Sequence, residues 1–164
     1  MCSTASLIPF IRHPGPVEPA LPSLARSVLF FNDNRSIMVG YLDSKEIVAW
    51  DIEPWRKMWA CKLRKRIGSM AWSPETRYLS VWNLEDGVDV YRLHDDAQLR
   101  HLHKLTVNIR RNFVKVIDLV QHGRMAISGT DKGEINVWDA ECGVLVQTLT
   151  HGTGALYTHL DLTT

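Results

Sequence analysis

Short apolar runs, four to eight residues long and arriving in groups of four between turn residues, constrain this chain more than any other feature. The first group is Ser27 to Phe31, Ile37 to Tyr41, Ile47 to Trp50 and Lys57 to Leu63, with turn clusters at Asn32-Asp33-Asn34 and Asp43-Ser44. Four strands in so little chain predict antiparallel hairpins, because a parallel crossover consumes a dozen or more residues. The rhythm repeats at Ile67 to Trp72, Tyr78 to Trp82, Val88 to Leu93 and Leu99 to Leu105. It repeats again at Phe113 to Val120, Met125 to Gly129, Glu134 to Trp138 and Val144 to Leu149. Turns carried by Ser73-Pro74, Glu85-Asp86-Gly87, His122-Gly123, Asp131-Lys132-Gly133 and Glu141-Cys142-Gly143 punctuate these runs. No segment requires a helix.

The aromatic residue ending each third strand sets the period. Trp50, Tyr91 and Trp138 lie 41 and then 47 residues apart, bracketing the ~40–45 residue repeat of four-stranded propeller blades. Two of them are followed by aspartate, as Trp50-Asp51 and Trp138-Asp139. The stretch Ser128-Gly-Thr-Asp-Lys-Gly-Glu-Ile-Asn-Val-Trp-Asp139 resembles the signature of the WD-repeat family. Met70-Ala-Trp-Ser-Pro-Glu75 resembles the end of a blade's first strand, and Thr148-Leu-Thr-His-Gly152 the lead into a following blade.

The resemblance covers residues 26 to 164 and implies an all-β fold: an incomplete β-propeller of about three four-stranded antiparallel WD-repeat blades (27–63, 67–105, 113–149), plus the first strand of a fourth within 150–164. Packing logic agrees, because a four-stranded blade must cover both faces against neighbours and residues such as Ile135 and Val137 alternate to do so. The resemblance also implies a stabilising hydrogen-bonded set linking Asp131, Ser128 and Trp138. Asp43 stands, like Asp131, seven residues before its tryptophan. The family's histidine is missing before the third blade, and Leu84 occupies the aspartate position of the second, so these blades diverge from the pattern.

Residues 1–25 hold five of the seven prolines, which predicts an extended, weakly ordered leader. At the other end the pattern halts one strand into a fourth blade. Three readings follow: a fragment of a longer propeller, a chain completed by another chain through self-association at open blade edges, or an open three-blade arc.

Composition narrows the function classes. Nineteen basic against eighteen acidic residues leave a formal charge of +1, so no global field draws the protein to nucleic acid or membrane. Nucleic acid therefore ranks below protein as a partner. Cys2, Cys61 and Cys142 are odd in number and lack C-x-x-C spacing, which argues against a disulfide framework or thiolate zinc site and for a cytoplasmic or nuclear setting. No catalytic or cofactor motif assembles, so the chain reads as a non-enzyme with no catalytic, cofactor-binding or metal-binding residues. His101 and His103, two apart on a strand, would share one face near Asp95 and Asp96, a spacing compatible with a divalent metal; since spacing places no third protein ligand, they read as part of a solvated outer strand.

The candidate partner-binding residues are basic. Arg64, Lys65 and Arg66, within the run Lys62 to Arg66, lie where one blade passes to the next, and Arg110 and Arg111 lie at the following junction. Such junctions share one ring face, where guanidinium groups can grip acidic or phosphorylated peptides and Glu85 and Asp86 would partly neutralise them. Trp55, with Arg56 beside it, is either an exposed anchor or packed under its own loop. The expected function is a protein-interaction scaffold or adaptor. The alternative is a fragment or accessory part of a larger WD-repeat protein or complex, serving signalling, RNA or chromatin.

Overall fold

The computed structural model describes residues 24–111 and 113–150. Most of the Pro-rich leader and the run after Thr150 expected to open a fourth blade lie outside the described residues.

Twelve strands and no helix form from the described residues. They are β1 (Ala25–Phe31), β2 (Ser36–Tyr41), β3 (Glu46–Asp51), β4 (Arg56–Lys62), β5 (Ser69–Ser73), β6 (Tyr78–Trp82), β7 (Gly87–Leu93), β8 (Leu99–Thr106), β9 (Ile117–Val120), β10 (Met125–Gly129), β11 (Glu134–Asp139) and β12 (Leu145–Thr150). Each consecutive four make one antiparallel sheet in chain order. Turn chemistry closes the hairpins: Asn32, Asp33 and Asn34 all take left-handed backbone, which Asn and Asp tolerate better than other non-glycine residues.

The three sheets stack as blades through their first strands. The Met70 amide of β5 donates to Ser27 Oγ of β1 at 3.2 Å, and Ser69 Oγ donates to the Lys115 carbonyl before β9 at 2.6 Å. Register fixes which side chains enter each seam. Pairings Ile37↔Trp50, Leu79↔Tyr91 and Ala126↔Trp138 make the three aromatics equivalent. Tyr91 packs back against the first blade and Trp138 back against the second. The seam between blades one and two buries Met38, Ile47, Ala49, Leu79 and Val81; that between two and three buries Trp82, Val88, Val90, Leu105 and Ala126. Each fully buried aliphatic side chain contributes roughly 1.5–3 kcal/mol, so the seams hold the blades to one another.

One irregularity recurs. In every blade the register slips beside the signature aromatic, between Ala49 and Trp50, Val90 and Tyr91, and Val137 and Trp138. The outer strand therefore carries one extra residue: Met58, Leu102 or Val146. All three are exposed, because a bulged residue has no opposite partner and the bend aims it outward.

The ninth strand departs from expectation. It begins at Ile117 rather than Phe113; ahead of it the Arg110 and Arg111 amides and the Lys115 side chain bond to Asp131 rather than to a ladder.

Candidate interaction rim and inter-blade cleft

Within each sheet the turn between second and third strands lies at the same end as the junction to the next blade, so these loops form one rim. Their carboxylates fasten it. In the third blade Asp131 accepts from the Arg110 and Arg111 amides at 2.6 and 2.8 Å and pairs with Lys115. Both side chains of that pair are buried (3% and 6% exposed). Burial pulls the Lys115 ammonium below its ordinary value, and its Nζ lies 5.6 Å from the centre of the Trp82 ring. In the second blade Asp86 receives Lys104 at 2.5 Å and Lys65 at 2.6 Å, while its carbonyl accepts from the Val107 amide. Desolvation alone would raise Asp86; the hydrogen bonds from Lys104, Lys65 and Asn83 outweigh it and bring the carboxyl down to about 2. In the first blade Asp43 receives Arg66 at 3.2 Å.

The set implied for Asp131, Ser128 and Trp138 does not form. Ser128 Oγ donates to the neighbouring Gly129 carbonyl at 3.2 Å, and Asp131 turns to the junction. With no histidine there, Lys115 supplies the donor, and a cation binds a carboxylate more strongly than a neutral hydroxyl does. Leu84, standing in the aspartate position of the second blade, is buried in the seam with the third. Its polar role passes to Asn83, whose Oδ1 accepts the amides of Glu85, Asp86 and Gly87, and whose Nδ2 donates to Asp86 and Asp89.

The aspartates after the tryptophans act locally. Asp51 accepts from Arg56 at 2.8 Å and Ser36 at 3.0 Å, bonds that lower its carboxyl. Asp139 accepts the Cys142 and Glu141 amides, which lower it likewise and shape the last turn. Trp55 stacks on Trp50, with ring centres 5.4 Å apart and planes 8° from parallel. It therefore packs under its own loop, against the face of the first blade that points away from the second. Trp59 lies within β4, edge-on to Phe31 at 6.4 Å.

The bulge in β8 overturns the shared-face reading of His101 and His103. Because Leu102 is extra, His101 pairs with Tyr91 and faces the first blade, where its Nε2 meets Asp89 at 3.1 Å; His103 pairs with Val90 and faces the third. Among the described residues no three His, Cys, Asp or Glu side chains converge in a way that could hold a metal ion.

Of the basic candidates, Lys65 and Arg66 are engaged as described. Arg64, Arg110 and Arg111 are exposed, and their side chains have no hydrogen-bond or ion-pair partner among the described residues. Arg64 and Lys65 also line a cleft of about 360 Å³ along the outer part of the seam between blades one and two, with Cys61, Lys62, Leu63, Asp89, Tyr91, Leu99, His101 and Lys104. Arg66, Arg110, Arg111 and Trp55 do not line it. Burial, reinforced by Asp89, pushes the Tyr91 phenol up, and burial raises the Cys61 thiol. The walls therefore present the Tyr91 hydroxyl and the Cys61 thiol beside the cations Arg64, Lys65 and Lys104 and the Asp89 carboxylate.

This geometry is found in known proteins. The β-propeller domain of Cps50 (Swd1) from Myceliophteria thermophila matches with TM-score 0.67 at 13% identity, covering 80% of this chain and 45% of that one. The fold is that of a β-propeller. A chain of a mitotic checkpoint complex matches this propeller segment with TM-score 0.63 at 18% identity (80% and 39% covered), and U3-55K with TM-score 0.66 at 17% (83% and 42%). The propeller segment thus spans less than half of each of these chains. No family model matches the sequence, and no curated protein does.

Sequence reasoning missed Lys115, Asn83 and the cleft. A signal for Lys115 was present: a lone lysine inside the apolar run Val114 to Val120, ahead of an Asp131 that had lost its histidine.

Proposed function

We propose that the chain is a non-catalytic protein-interaction module whose working surface is the rim of second-to-third-strand turns and blade junctions. One observation carries this reading: Asp43, Asp86 and Asp131 each fasten a junction, while Arg64, Arg110 and Arg111 stand on those junctions with exposed side chains. Fixing the loops beforehand lowers the ordering cost of association, and unengaged arginines favour a partner carrying acidic groups. The likeness to a chain of the mitotic checkpoint complex supports the same class of role.

The test is quantitative affinity capture by the full chain against an Arg64→Glu/Arg110→Glu/Arg111→Glu variant, with thermal melts to show that both are folded. Loss of the same specific proteins from the folded variant is the expected result. An unchanged captured set would remove the rim from consideration.

A further inference from the structure

We infer that the Pro-rich leader is an intramolecular strap, docked in extended form along the aromatic face of the first blade that points away from the second. The surface is separate from the rim, and the inference stands whether or not the rim binds a partner.

The blades correspond rung by rung. Ile37, Leu79 and Ala126 oppose the three signature aromatics, and Cys61 opposes Ile47 as Leu105 opposes Val88. In the second blade the face bearing the aromatic is covered by the blade before it, which leaves Val81 1% and Tyr91 7% exposed. The same face of the first blade carries Val39, Tyr41, Val48 and Trp50, and these are as well covered, at 3–5% exposed. Among the described residues, the other hydrophobic side chains packed against them are Ile37 of the same sheet and Trp55. Trp55 lies flat on Trp50, at one end of the row. Tyr41 stands at the other end, four residues along β2 from the Ile37 rung, a distance of about 13 Å. One indole centred over Trp50 does not reach it.

The outline of the buried area selects what covers it. The area is two strands wide. On one flank Val28 and Phe30 of β1, which pair with Val39 and Ile37, are 55% and 59% exposed. On the other flank Lys57 and Ala60 of β4, which pair with Trp50 and Val48, are exposed as well. A packed sheet, whether a further blade or a second copy of this chain, would cover the flanks too. A narrow buried row between exposed neighbours fits a single extended segment.

The leader is placed and composed to be that segment. It enters the fold at Ala25, which pairs with Tyr41, and the Leu24 carbonyl accepts from the Leu42 amide at 2.9 Å, so it arrives at the Tyr41 end of the row. About five extended residues span the row, and residues 1–23 supply several times that. Proline lacks an amide donor and is already set in the polyproline II form, so a proline-rich segment lies on a sheet face without a ladder partner and loses little freedom on docking. Aromatic surfaces such as Tyr41, Trp50 and Trp55 are what such segments dock on. Leu7, Ile8, Phe10 and Ile11 add apolar area.

The test is hydroxyl-radical footprinting, read by mass spectrometry, of the full chain and of a full-length variant whose residues 2–22 are replaced by Gly and Ser. Labelling of Tyr41, Trp50 and Trp55 should rise several-fold in the variant, while Trp82, fully buried in the next seam, stays unlabelled. Unchanged labelling of the first three would overturn the strap. Protection in the full chain that is lost on dilution would also overturn it, by assigning the cover to a second copy. If Trp82 becomes labelled as well, the variant has unfolded, and a gentler change decides: benzoylphenylalanine in place of Phe10 or of Leu21 in the full chain. Irradiation should then give cross-links within one chain to the row between Val39 and Trp55. Cross-links confined to other surfaces, or formed only between chains, would overturn the inference.

Discussion

The two seams of this propeller segment are built on one plan and finished differently. Both stack aliphatic residues of one blade against the aromatic of the next, with Tyr91 and Trp138 in equivalent places. The incoming junction of the first seam is fastened by Lys65 on Asp86 and Glu85, all partly exposed. That of the second is fastened by Lys115 on Asp131, both buried. The first seam gapes at Cys61. The second is shut by Leu105 and by His103, which lies so close to Gly143 that a Cβ there would come within 2.8 Å of the ring. Gly143 also holds φ at +73°, so no other residue serves as well. The pattern of apolar alternation builds a blade; a few seam residues decide whether it locks to its neighbour or leaves a pocket.

The largest expected effect breaks the comparison at its ion pairs. Lys115→Ala strands the Asp131 carboxylate in a buried site, and removing one partner of a buried pair costs about 3 kcal/mol or more. Lys65→Ala, at the corresponding junction of the exposed seam, should cost under about 1 kcal/mol. Urea denaturation of the two variants measures the contrast. Equal losses would mean that burial does not distinguish the seams.

An intermediate effect comes from pH. Burial holds His103 below its ordinary value, and a hydrogen bond with the Ala140 backbone offsets this only in part. Its Nε2 is buried with no hydrogen-bond partner among the described residues, so a proton there would find no acceptor. A histidine lowered in the folded state leaves the unfolded chain binding more protons. Stability is therefore full above the unfolded value of about 6.5 and falls as pH drops from there toward the folded value. His103→Phe should flatten the dependence just below about pH 6.5, as read from melting midpoints across buffers. An unaltered slope would show that the closed seam is indifferent to this proton. The carboxylates lowered by their bonds, Asp86, Asp51 and Asp139, lose their contribution only at lower pH and do not interfere.

What the sequence disclosed, and what it hid, follows the same division. Strand positions were legible because alternation and turn residues are local: Asn32 to Asn34 turn where such residues turn, and Trp50, Tyr91 and Trp138 mark equivalent rungs. The bulges were not, because the slip beside each aromatic is a property of two strands together. Missing it put His101 and His103 on one face and left Leu102 without a reason to be exposed. The rim was half legible. Spacing placed the basic junctions and the turn acids near one another, but which cation each acid takes depends on reach and burial: Lys65 and Arg66 are spent, and Arg64 is not. Lys115 read as one more residue of a strand, because burying an ammonium makes sense only once Asp131 is known to lie beside it.

The smallest effect sharpens the comparison by converting one seam toward the other. Cys61→Leu gives the first seam the residue that its equivalent, Leu105, supplies to the second. The neighbours are already apolar: Leu63, Tyr91 and Leu99 line the space. The added methyl groups enter a cleft rather than a packed core, so overpacking strain stays low. Cavity filling of this kind yields about 0.5–2 kcal/mol, and the lower part of that range applies because the cleft is open to solvent and its water is cheaply displaced. The gain should appear as a raised denaturation midpoint with an unchanged slope, since nothing else about the fold alters. A loss of stability would mean that Cys61 is held in place by packing not repeated at Leu105. The two seams would then differ in backbone spacing and not merely in the side chain that fills them.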